Sequence, residues 1–369
     1  MYLSIFRKKP LRKLLLIITA MAVLTASVYY LNSLSQTVSV EVEEELADVI
    51  MQIFIRRSQA MLQKDQAALE TLYDQETKLG VWALEFEKKK MKYLHDWAGK
   101  QGVRFVNIGS KTVLRSVKEK EFIYKCNLLV STTYQYVYED DPLTINTFRL
   151  GTYHSLDMIK TEEQQWLVRK EWYSDPFSNS LYLEQEKKEN IREYILAQRP
   201  DPAPLLERRA NAIAYADQHV GAAKESDFGY NKKYKNYNPY GGDCANYASQ
   251  ILHEGGKFRK TSTWNYEKGG SKAWVNAEAF KNYMLYSGRA SLVANGTYEK
   301  VHKAAYKLQP GDFVAYEKGG KVVHISVITG ADSKGYVLVN SHNTDRYRVP
   351  WDLGWSDKGI KFWLVHVHF

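Results

Sequence analysis

Cysteine is almost missing from this chain: Cys126 and Cys244 are the two among 369 residues. So few, so far apart, exclude the dense disulfide framework of small secreted domains. Several catalytic signatures are absent as well. There is no G-x-S-x-G elbow, no H-E-x-x-H zinc helix, no Walker A loop and no G-x-G-x-x-G turn. These absences remove the commonest serine-hydrolase, zinc-peptidase, nucleotide-hydrolase and dinucleotide readings. His366 and His368 alternate on one face of a terminal strand, but two ligands without a third make no metal site. No cofactor or metal is expected.

The net charge of +9 has no nucleic-acid module behind it. Zinc-finger spacing, the RRM aromatic motif and a basic-region helix are all missing, and acidic residues lie among the basic ones. A polyanionic wall or anionic lipid headgroups suit the charge better. An apolar fraction of 44% is that of a globular protein with material for two domains.

The N-terminus suggests a compartment. Arg7, Lys8, Lys9, Arg12 and Lys13 precede an uncharged run from Leu14 to Leu31. That length approaches a bilayer span, and positive charge before it holds that side in the cytoplasm. Residues 1–37 are therefore read as a basic tip and transmembrane helix, with a cleaved signal peptide ending near Ala26 as the alternative. Both readings export the rest of the chain.

Residues 38–177 read as an α+β unit. Val49, Ile53, Met61, Leu62, Leu69 and Leu72, then Leu84, Met91, Leu94 and Trp97, recur at helical spacing. The period then becomes two in "EFIYKCNLLVSTTYQYVYED", "INTFRLGTYHSLDMIK" and "QQWLVRKEWYSD". Cys126 and His154 lie in these strands and read as packed residues. The order of elements resembles the cone-shaped domains of the nuclear-transport-factor-2-like superfamily. Residues 178–206 hold a charged helix and the stiffening Pro200, Pro202 and Pro204, a linker to a last domain at 207–369.

In that last domain Cys244 sits in "YGGDCANYASQIL". Gly241 and Gly242 permit a tight turn, and Asp243 reads as the N-cap of a helix that Cys244 opens. Unpaired amides at a helix start favour a thiolate and can donate to an oxyanion. A cysteine nucleophile needs a base. His324, in the returning strand of the hairpin "FVAYEKGGKVVHISVITG", is the candidate. A third group orients the imidazole, and His342 or Asn340, sharing a face in "YVLVNSHNTD", can supply it.

Taken together, "RRANAIAYADQHV", "GGDCANYASQIL", "GGSKAWVN", "LQPGDFVAY", "VVHISVITG" and "VNSHNTD" resemble the amidase domain family of Gram-positive bacteria, related to the papain-like NlpC/P60 superfamily. The family pattern has phenylalanine where this chain has Tyr247. The resemblance implies an α+β, papain-like C-terminal domain with Cys244 as nucleophile and His324 as base. It implies a substrate-side tyrosine before the nucleophile, filled by Tyr240 or Tyr237. Ala245 and Asp243 would border the oxyanion, and Trp274 would line a groove.

The expected function is amide hydrolysis through a thioester, outside the membrane, on peptidoglycan or a related cell-wall peptide. Acyl transfer is the variant in which an amine resolves the thioester. The alternative from another class is a catalytically idle envelope-binding protein that acts through residues 38–177.

Overall fold

The computed structural model describes residues 21, 39–177, 180, 188–200, 204–221, 229–356 and 359–369. Helix α1 (Val40–Gln63) begins where the Ser39 hydroxyl accepts from the amide of Val42, and it ends at a left-handed Lys64. After a short α2 (Gln66–Glu70), Thr77 caps α3 (Lys78–Gln101), which stops at Gly102 with φ 70°. The apolar stripes anticipated at helical spacing are the buried faces. Ile53 and Met61 of α1, and Leu84, Met91, Leu94 and Trp97 of α3, are all inside.

These helices cover four strands: β1 (Val103–Lys120), β2 (Ile123–Tyr138), β3 (Asp141–Lys160) and β4 (Trp166–Tyr173). Downstream come α4 (Lys188–Leu196), α5 (Glu207–Gln218), α6 (Cys244–Gln250), α7 (Lys272–Val275), α8 (Ala277–Tyr286), β5 (Ala290–Gly296) and α9 (Tyr298–Ala305). The chain closes with β6 (Phe313–Lys318), β7 (Lys321–Ala331), β8 (Val337–Ser341), β9 (Asp345–Pro350) and β10 (Ile360–Val367).

The strands form one ten-stranded antiparallel sheet in the order β1-β2-β3-β9-β8-β7-β6-β10-β5, with β4 also on β3. The joint is β3. Its residues Arg149, Leu150 and Gly151 pair with Tyr347, Arg346 and Asp345 of β9, while His154–Lys160 pair with β4. Alternation along β6 gives the sheet two covered faces. Val314 and Tyr316 enter a core shared with α1, α3 and β1–β3, while Phe313 and Ala315 enter a second core under α6 and α8.

This corrects the expected fold class. A papain-like domain following a separate α+β unit is replaced by a mixed α/β architecture around one large sheet. The physical reason is burial: Trp351 and Leu353 of the C-terminal half share a core with helices α1 and α3. No described helix is long and apolar enough to cross a membrane. The run Leu14–Leu31 lies outside the described residues except for Met21. Both cysteines are free buried thiols.

Candidate active site around Cys244

The turn before Cys244 is built by glycine. Gly241 and Gly242 have φ 103° and 139°, and a Cβ on Gly242 would collide with the Asn343 side chain. The Asp243 amide donates to the Asn343 side-chain oxygen, which fastens the turn to the β8–β9 connection.

Asp243 occupies the N-cap position of α6 but does not cap it. Its Oδ1 accepts from the Tyr237 amide at 2.9 Å and from Asn246 Nδ2 at 2.8 Å. Its Oδ2 lies 2.6 Å from His342 Nδ1. The other nitrogen, His342 Nε2, donates to the His219 carbonyl at 2.8 Å. The imidazole also stacks on Tyr247, one turn into α6, with centroids 3.8 Å apart and planes at 12°. His342 is thereby fixed against the cysteine turn by a carboxylate, a carbonyl and a ring.

Cys244 opens α6, as expected, and its sulfur faces the main-chain amides of Ile325, Ala245 and Cys244 itself. The expected thiolate is not the resting form. Burial pushes the thiol up to about 11, with the neighbouring Asp243 charge adding to it, and the three amides only partly offset that.

His324 comes close along the chain, one residue from Ile325, but its ring is on the other face of β7. It pairs across from Tyr316, stacks on Trp355 at 5.1 Å and meets the Ser341 hydroxyl at 3.2 Å. Ile325 and Val327, not His324, join the core beneath α6. Burial, helped by the Arg346 charge, lowers its pKa to about 3, so the ring is neutral. An unfolded histidine titrates near 6.5, so between pH 6.5 and 3 protons go to the unfolded chain first. Stability should therefore fall on acidification through that window, by up to about 1.4 kcal/mol per pH unit from this group. Urea midpoints from pH 7 to 4 are expected to decline less steeply in His324→Phe.

The remaining candidates separate. Asn340 is fully buried, accepting from Thr329 Oγ1 and the Arg348 amide while donating to Asp217. Trp274 is a fully buried core residue between Trp264 and Tyr234, with its indole N–H donating to Asn246 Oδ1. Tyr240 is exposed and lies under Lys235.

A groove of about 720 Å³ runs beside the cysteine turn. One wall is Asn236, Asn238 and Gly241–Gly242, another Asn343–Asp345, and the third comes from the N-terminal half: Gly151–Tyr153, Trp172 and Ser174. No sequence signal pointed to that third wall, because the β3–β9 pairing brings it there. Tyr230 was also missed; it packs on His342 at 4.4 Å and donates to Asp345.

Residues 207–365 match the family model described as "Putative amidase domain". At the coarse level this match supports a hydrolase. Two Bacillus subtilis (strain 168) proteins, both described as uncharacterized, are similar over part of their length. YhbB is 29% identical over 147 residues, 38% of this chain and 45% of that protein. YjcM is 33% identical over 148 residues, 37% of this chain and 32% of that protein. The chain thus spans less than half the length of either relative. Among solved structures, the intermembrane-space region of the chloroplast protein ARC6 overlaps 37% of this chain and 98% of its own. Its identity is 10% and its TM-score 0.26, too loose an overlap to define a shared fold.

Proposed function

We propose that the chain hydrolyses an amide bond with Cys244 as nucleophile, on a peptide of the cell wall laid in the groove beside Gly241–Gly242. The observation that carries this reading is the sulfur at the start of α6 facing the Ile325 and Ala245 amides, inside the region that matches the amidase model. Those amides can donate to the oxyanion when the sulfur attacks a carbonyl. The proton leaves the thiol for an imidazole, which returns it to the departing amine, and water then releases the acid from the thioester.

His342 is the imidazole this reading favours. Asp243 orients it by a 2.6 Å hydrogen bond and the ring abuts the cysteine turn, whereas His324 is turned to the opposite face. With Nδ1 on the Asp243 carboxylate and Nε2 donating to the His219 carbonyl, accepting the thiol proton requires Nε2 first to give up its own proton to solvent and then to turn from the carbonyl to the sulfur. The buried, protonated thiol is then a resting state that substrate opens.

The test is a pH–rate profile on purified peptidoglycan, with products identified by mass spectrometry. His342→Ala is expected to lower kcat about 10²–10⁴-fold. If His324→Ala does so instead, the base assignment passes to His324. If wild-type chain releases no new amine from any wall fraction, the substrate class is wrong.

A further inference from the structure

A second groove, of about 570 Å³, lies between α3 and β4. Its walls are apolar and aromatic: Leu79, Trp82 and Phe86 from the helix, Trp172 from the strand. Trp82 and Trp172 are 66% and 64% exposed, an unusual cost for two indoles on one groove. Beneath them are two carboxylates in a peculiar state. Glu87 is 1% exposed and Asp175 8%, yet Glu87 Oε2 and Asp175 Oδ2 have no hydrogen-bond partner among the described residues.

The nearby cations are already engaged, and one of them pairs with the other oxygen of Glu87. Lys90 is held by Glu87 Oε1 at 2.7 Å and by the Tyr173 hydroxyl. Arg57 grips both oxygens of Glu171 at 2.9 and 3.0 Å. Asp175 keeps a single bond, Oδ1 accepting from the Phe177 amide at 2.8 Å. A buried carboxylate oxygen left without a donor is costly, and native structures seldom carry two on one groove without a reason.

We propose that this groove binds a primary ammonium group on an alkyl chain, of the kind a lysine-type side chain of a peptide presents. The ammonium would donate to Asp175 Oδ2 and Glu87 Oε2 while its methylenes lie between the two indoles, which also favour a cation over their faces. A neutral hydroxyl could donate too but would bring no charge to Asp175, which, unlike Glu87 with Lys90, has no ion pair among the described residues. The volume is in the range of small-ligand sites. Trp172 and Ser174 border both this groove and the one beside Gly241–Gly242, so one peptide can occupy both. Only the source of the amine rests on the amidase reading.

Burial supports the assignment by pushing the Asp175 carboxyl up to about 6. The titratable and charged groups around it are Glu87 and Lys90 of α3, Lys170, Glu171 and the neutral phenol of Tyr173 in β4, and Arg346 of β9. Lys90 opposes the shift most, Glu87 adds to it, and Arg346 opposes it weakly. Ammonium binding should accordingly weaken as pH falls below about 6.

The experiment uses the full chain carrying Cys244→Ala, so that nothing is hydrolysed. It is titrated with Nα-acetyl-lysine amide, with the neutral Nε-acetylated counterpart, and with N-acetylglucosamine, followed by calorimetry and tryptophan fluorescence. The free amine should bind at least about tenfold tighter than its acetylated form, as loss of a charge-assisted bond predicts. Asp175→Asn should abolish that preference without lowering the thermal midpoint, since it removes an unpaired buried charge. Trp82→Ala, at an exposed site, should remove the fluorescence change. Equal binding of the two lysine derivatives, a preference that survives Asp175→Asn, saturation by the sugar alone, or no saturation by any probe would each overturn the proposal. A chain that hydrolyses wall peptide yet ignores lysine amide would sink this site while leaving the amidase reading intact.

Discussion

Cys244→Ala is expected to remove amide hydrolysis by at least about three orders of magnitude while leaving the fold in place. The two effects separate because the thiol is small and sits among small residues. Its neighbours in the core include Ala245 and Ala248, and losing one sulfur should cost about 1 kcal/mol in cavity and contact terms. Chemistry has no such reserve. Without the sulfur there is no acyl-enzyme, and the amides of Ile325 and Ala245 face an empty position. Cys244→Ser sharpens the test: it keeps the volume, but a hydroxyl is a far poorer nucleophile than a thiol, so it should be nearly as inactive. Circular dichroism and a thermal scan beside the amine-release assay make the comparison complete. If Cys244→Ala retained wild-type turnover, the nucleophile would have to be sought elsewhere. If wild type itself had none and its envelope role survived the substitution, the idle binding protein would become the working model.

Part of this was legible in the sequence and part was not, for physical reasons that differ by residue. Helices α1 and α3 declare themselves through apolar residues at 3.6 spacing, and β2, β3 and β4 through alternation with β-branched and aromatic residues. Strand β1 was not anticipated, because its second half, "SKTVLRSVKEK", is partly exposed and reads as polar. The cysteine turn was visible because Gly-Gly-Asp-Cys is a local conformational statement. The job of Asp243 was not: a capping aspartate and one that orients His342 look alike until the β8–β9 connection is brought alongside. His324 is the sharpest case. Period-two reading places it in a covered strand, but the register shift between Tyr316 and Glu317 decides which face it takes, and a one-residue slip reverses the answer. The β3–β9 pairing joins strands about two hundred positions apart through three residue pairs, and no local pattern encodes that.

The same long-range architecture predicts the largest stability effect, Asp352→Ala. Asp352 is fully buried and gathers donors from both halves of the chain. Trp97 Nε1 reaches both its oxygens at 3.2 Å, Lys100 Nζ lies 2.5 Å from Oδ2, and the Tyr336 hydroxyl donates to Oδ1 at 2.8 Å. Lys100 is itself mostly buried, with its ammonium 3.9 Å over the Tyr298 ring. Alanine would strand that ammonium and an indole N–H together, and breaking one side of a buried ion pair costs about 3–5 kcal/mol. Asp352→Asn keeps an acceptor and should cost less. Because Trp97 belongs to α3 and Tyr336 precedes β8, the loss falls on the seam between the halves rather than on either one. Guanidinium unfolding followed by tryptophan fluorescence and far-ultraviolet dichroism should show one coincident transition in wild type. Its midpoint should be displaced for both probes together in Asp352→Ala. Two separated transitions in the variant would mean that each half holds its own fold and the shared core is only a docking surface. A shift worth under about 1 kcal/mol would place this carboxylate among the surface ion pairs that contribute little.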